Sequence, residues 1–173
     1  MIGELAFLTV LLLCVGIGAT LILDLWQFLL GKLFAVRGAD WGHAGRWLKG
    51  LAKGEWIYRN SDPSPPRAGD KTLGWLFHYV VGTIYAFLYV PVSILGFGAF
   101  PDFLPYILIG FVLSTLAGLM VFSPLMGDGF LASKAPDQGR RIAFAVLNHL
   151  VFAAAQYLVT AAVVAGFFWV DES

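Results

Sequence analysis

LAFLTVLLLCVGIGATLIL, residues 5–23, decides the fold of this chain, because it runs for nineteen positions without one Asp, Glu, Lys or Arg. A helix rises about 1.5 Å per residue, so roughly 18 or more apolar residues cross the roughly 30 Å hydrocarbon layer of a bilayer. Three further charge-free stretches follow at residues 73–100, 103–126 and 142–170. The sequence therefore predicts an all-α membrane protein with four transmembrane helices, over residues 4–30, 73–95, 103–124 and 142–170. They form one domain, residues 1–173, with loops at residues 31–72 and 125–141.

Those two loops hold every Lys and Arg: Lys32, Arg37, Arg46, Lys49, Lys53, Arg59, Arg67 and Lys71 in the first, Lys134, Arg140 and Arg141 in the second. By the positive-inside rule both loops are expected in the cytoplasm and both termini outside, where Glu4, Asp102, Asp171 and Glu172 are the only charges. A composition 59% hydrophobic and 13% charged leaves no room for a separate soluble domain. The zero net charge conceals this asymmetry, which suits anionic lipid headgroups and argues against nucleic acid. Cys14 is the only cysteine, so no intrachain disulfide or CxxC site is possible. The N-terminus carries Glu4 in place of a basic signal-peptide region, and its apolar run continues past Asp24, so it reads as a retained first span.

Within the first loop, Trp41, Ala44, Trp47 and Leu51 recur at helical spacing while Arg46, Lys49 and Lys53 fall on another face. That pattern predicts an amphipathic interfacial segment, although Gly42, Gly45, Gly50 and Gly54 weaken a helix there. The prolines of residues 61–67, SDPSPPR, end it. Pro91 is expected to kink the second span or end its regular part near Tyr89. The pairs Gly82 and Ala86, Gly110 and Gly118, and Ala162 and Gly166 have the spacing that permits close helix approach, chiefly within the monomer.

Three ionisable side chains fall inside the apolar stretches: Asp24, His78 and His149. Each lies roughly 10 to 12 Å of helix from the nearest loop cation, so all three are expected at one level of the cytoplasmic leaflet. Charge in hydrocarbon costs roughly 2.5 to 3.5 kcal/mol or more, which favours convergence on a partner or a wet cavity. Tyr79, Asn148 and Gln156 are candidate neighbours. The residue types allow purely structural hydrogen bonding, a ligand or proton site, or a metal site, the last disfavoured by the lack of a short-range ligand pair such as HxxxH. His43 reads as solvated or interfacial. Arg46, Lys134, Arg140 and Arg141 are candidates for contact with anionic headgroups. Gly127, Gly129 and Ala132 formally match a dinucleotide fingerprint, but no βαβ pattern surrounds them, so they read as a tight turn. Trp41, Trp47, Trp56 and Trp75 suit an interfacial aromatic belt.

Taken in order, Asp24-Leu25-Trp26, Gly45-Arg46-Trp47, Gly74-Trp75 with His78-Tyr79, residues 124–133, and His149 give the chain a pattern that resembles a bacterial inner-membrane family, domain of unknown function 2938. The resemblance implies a four-helix protein of the bacterial inner membrane with its recurrent polar residues on the cytoplasmic side, and it supplies no activity or cofactor. The chain departs from the family pattern at Tyr58, where a histidine is expected after Trp56, which weakens a loop-assisted metal site. Three functions stay open. The first is a non-catalytic subunit that packs against a larger membrane protein partner or its own copies. The alternative is a proton-coupled transporter or small-ligand or metal-binding protein using Asp24, His78 and His149. The third is a lipid-modifying enzyme with a His as acid or base and Arg46 or Lys134 on a phosphate.

Overall fold

A computed structural model describes residues 2–34, 38–59, 64–96 and 102–171, with side chains at residues 2–4, 94 and 167–171 outside that description. The expectations resting on Glu4, Arg37, Asp171, Glu172, residues 61–63 and the turn at residues 100–101 lie outside the described residues. Every described element is helical. Helix α1 (Ile2–Phe34) is followed by the short α2 (Trp41–Leu51), then α3 (Ala68–Phe87), α4 (Tyr89–Ile94), α5 (Phe103–Leu125) and α6 (Gln138–Asp171). Four segments, Leu5–Phe34, Ala68–Ser93, Phe103–Leu125 and Gln138–Gly166, are long and apolar enough to cross a membrane.

Local chemistry accounts for the helix ends. Asp40 caps α2 by accepting the Gly42 N–H at 2.9 Å. Helix α3 begins at Ala68, before the charge-free stretch, because Asp70 reaches back to accept the Arg67 N–H at 2.9 Å. Pro91 has no N–H, and its ring crowds the carbonyl four residues earlier, that of Phe87. Helix α3 ends at that residue and the chain restarts as α4. Helix α5 is not regular: Ile107–Leu113 and Gly118–Phe122 are π-wound on either side of Ser114–Ala117. Between them Ser114 Oγ donates to the Gly110 carbonyl at 2.6 Å, competing for an acceptor of the ordinary ladder.

Helix α1 lies between α3 and α6, α5 packs on α6, and α2 lies across the start of α3. Leu11, Leu12 and Val15 meet Ala86, Tyr89, Tyr106 and Ile109 in one core cluster, while Ala19 and Leu23 meet Phe152 and Ala155 in another. Helix α3 is buried at Asp70, Gly74, His78, Gly82 and Ala86, one residue in every four, a single stripe down the helix. Small residues on that stripe set the distances. A Cβ on Gly82 would strike Thr20, and one on Gly16 would lie 2.5 Å from Thr83 Cα. Gly110 likewise abuts Gln156 and Ala153, and Gly118 abuts His149. Ala162 and Gly166 instead stay exposed on α6. Outward faces carry residues such as Val10, Leu21, Leu76, Ile84 and Leu158, apolar surface far beyond what a water-soluble monomer presents.

Candidate functional site

Helix α2 is clasped to α3 by backbone contact and by charge. A side chain on Gly45 would run into the Asp70 carbonyl and one on Gly74 into the Trp41 carbonyl, so the two helices touch main chain to main chain. The glycines that weaken α2 as an isolated helix are what let it dock. Beside this contact the buried Asp70 carboxylate receives Lys49 Nζ at 2.5 Å and Arg46 Nε at 3.3 Å. Arg46 then donates to the carbonyls of Ser64 at 2.9 Å and Pro65 at 2.8 Å, which fixes the proline connector. Its side chain is 12% exposed and its guanidinium is engaged by Asp70 and the connector.

This docking holds Trp41 over the bundle, where its ring stacks on the His78 imidazole at 4.1 Å between centroids. His78 Nε2 is 2.9 Å from Asp24 Oδ1, and the Tyr79 hydroxyl donates to Asp24 Oδ2 at 2.8 Å. Helix α1 thus supplies a carboxylate whose two oxygens are met one each by adjacent residues on α3. Neither partner is a permanent cation: an imidazole and a phenol both carry exchangeable protons.

His149 is directed elsewhere. Its Nδ1 lies 3.1 Å from Thr115 Oγ1, in the stretch between the two π-wound segments of α5. Asn148 accepts the Trp26 indole N–H at 3.2 Å and so ties α6 to α1. Asp24, His78 and Tyr79 come together, then, while His149 and Asn148 make separate contacts. Among the described residues no three of His, Cys, Asp and Glu are grouped as ligands of a metal ion would be.

His78, Asn148 and His149 nevertheless share the wall of one cavity of about 1280 Å³ at the end of the bundle that carries the two long loops. Its sides are aromatic, from Trp41, Trp47, Phe77, Phe122, Phe144 and Phe152, and it reaches down to Thr20, Tyr85 and Ser114. The volume exceeds that of a typical small-molecule pocket, about 300–1,000 Å³. The rim holds Asp40, His43, Tyr58, Asp128, Arg140 and Arg141. His43 Nδ1 and the Tyr58 hydroxyl lie 2.8 Å apart, so the tyrosine that replaces the expected histidine serves as a hydrogen-bond partner. The Tyr58 N–H donates to the Leu125 carbonyl at 2.8 Å and stitches the first loop to the second.

Of residues 124–133, the first two close α5 and residues 126–133 follow it, with no strand before them among the described residues, and form a tight turn. Gly127 and Gly129 have positive φ, as do Leu131 at 52° and Ala132 at 57°. A side chain resists that conformation, so the turn is held against local preference by its surroundings. Ser123 Oγ donates to the Gly129 carbonyl at 2.9 Å, and Gln138 Nε2 to the Leu131 carbonyl at 3.1 Å. Arg141 pairs with Asp128 at 2.9 Å, Arg140 lies 5.7 Å from the Phe144 ring centroid, and Lys134 is exposed. Sequence reasoning missed Thr115 and Asp70 and gave Trp26 only a place in a family motif; Asp70 carried a signal, as an acid opening an apolar helix behind a run of prolines.

The fold and cavity define an all-helical protein with four helices fit to cross a membrane and a polar-edged, aromatic chamber at its loop end. A family model described as "Protein of unknown function (DUF2938)" matches residues 13–164, and the chain belongs to that family, as its motifs suggested. No curated protein and no solved structure matches it.

Proposed function

We propose that this protein binds a small, flat, largely apolar ligand in the loop-end cavity, with His78, backed by Asp24 from outside the lining, as the proton-responsive part of its wall. The observation that carries this reading is one chamber of about 1280 Å³ with aromatic sides and all three histidines of the chain among its lining residues. Aromatic rings favour a flat apolar body, and His78, Asn148 and His149 offer the few polar contacts that fix orientation. A proton gained or lost at His78 changes its hydrogen bond to Asp24 and, through the stacked Trp41, the shape of the chamber. In this reading the cavity opens to the cytoplasm of a bacterial cell, both termini lie outside its inner membrane, α2 lies at the interface, and Lys134 and Arg140 meet anionic headgroups.

The test is native mass spectrometry of protein extracted in mild detergent. A reproducible adduct of small-molecule mass is expected, retained in a pH-dependent manner by wild type and independently of pH by Asp24→Asn. Recovery of bare protein at every pH removes the proposal. A second reading, a subunit of a membrane assembly or homo-oligomer, is favoured by Ala162 and Gly166, whose small side of α6 is exposed. Gly166→Cys in native membranes is then expected to crosslink to a second chain, and uncrosslinked monomer alone counts against it.

A further inference from the structure

Past the cavity, α5 and α6 close along a seam more polar than its depth would suggest. On α6, His149, Ala153, Gln156 and Thr160 recur at helical spacing; on α5, Tyr106, Gly110, Ser114 and Gly118 recur every four residues. Gln156 and Thr160 are fully buried, and Tyr106 and Ser114 nearly so. Most of these groups are satisfied within their own helix. Thr160 Oγ1 donates to the Gln156 carbonyl at 2.8 Å, and Ser114 Oγ to the Gly110 carbonyl at 2.6 Å.

Gln156 is different. Its Oε1 accepts from the Tyr89 hydroxyl, but its Nε2 has no hydrogen-bond partner among the described residues, and the Tyr106 hydroxyl, which stands near the Thr160 hydroxyl, makes no bond of full hydrogen-bond geometry. The Tyr89 and Tyr106 rings are only 4.3 Å apart between centroids, so both unpaired groups belong to one cluster. A carboxamide NH₂ offers two donors, and a phenol one donor and an acceptor. Leaving such a group buried and unpaired costs about 1–3 kcal/mol each. Protein interiors commonly meet this need with a buried water that makes about three hydrogen bonds.

We infer that the α5–α6 seam is a water-binding site in which ordered water joins Gln156 Nε2 to the Tyr106 hydroxyl. Water fits both valences, accepting from the amide and either donating to or accepting from the phenol. A metal cation is repelled by the amide donors, and an apolar guest leaves both groups unsatisfied. The site adjoins the cavity floor: Ser114 lines the cavity and bonds to Gly110, and Gly110 abuts Gln156. Hydration of the seam therefore extends the polar lining of the chamber toward Tyr89, whether or not the chamber holds a ligand.

X-ray radiolytic labelling of the full chain in lipid nanodiscs tests this, because radicals formed from bound water modify the side chains beside it. Tyr106 is expected to be labelled several-fold faster in wild type than in Gln156→Leu. No labelling of Tyr106 in wild type, or equal labelling in both, overturns the inference. Where Gln156→Leu fails to fold, Tyr106→Phe decides by the sign of its melting shift. A hydroxyl bound to water is missed on deletion and the melting temperature falls; a dry, unpaired one is relieved, and a rise overturns the inference.

Discussion

Asp70 and Asp24 are both carboxylates on helices of the bundle, and the chain treats them in opposite ways. Asp70 meets Lys49, Arg46 and the Arg67 N–H, donors that hold their protons at any physiological pH. Asp24 meets an imidazole, His78, and a phenol, Tyr79, neither of them a fixed cation. The first arrangement gains rigidity: it locks α2 against α3 and holds Trp41 in place. The second leaves a charge balance that depends on the surroundings. Chemistry that responds to its environment sits directly under the ring of Trp41, which the rigid clasp positions.

Four substitutions sharpen that contrast, taken from the largest expected effect to the smallest. Gly74→Val drives a branched side chain into the Trp41 carbonyl and is expected to cost more than about 4 kcal/mol, the range of gross steric conflict, read as faster tryptic cleavage at Lys49 and Lys53. Asp70→Ala leaves Arg46 without its carboxylate and is expected to lower stability by about 3 kcal/mol in thermal melts in detergent. Asp24→Asn keeps the shape and one acceptor oxygen and turns the other into a donor, so it is expected to cost about 1.5 kcal/mol while flattening the pH dependence of ligand retention. If Asp24→Asn unfolds the protein as Asp70→Ala does, the two acids are alike and the comparison fails. Arg140→Gln removes a ring contact at an exposed position and is expected to change stability by no more than about 0.5 kcal/mol.

How far the sequence could be read depended on whether a feature is local. The four long helices follow from runs of apolar residues, and the break before Pro91 follows from a missing N–H and a crowded carbonyl. The closeness of Asp24 and His78 was legible as equal depth, since a helix converts residue count into height. Depth does not give direction around the helix axis, which is why His149, at a similar height, turns to Thr115 instead. The π-wound segments of α5 shift that direction further and leave no trace in hydropathy. The pairing of Arg46 with Asp70 was not legible, because the two lie 24 residues apart across a proline connector. The glycines of α2 counted against a helix in isolation, and only the crossing with α3 explains them.

That crossing has a consequence for synthesis. Helix α2 leaves the ribosome before α3, and the surface it docks on is made of Asp70 and Gly74, which do not yet exist as a helix face. Until Ala68–Phe87 has formed, the short segment carries Trp41 and Trp47 without the His78 and Phe77 rings they pack on. Its docking is a late event in biogenesis, and the chamber acquires its Trp41 wall only when the second long helix is complete.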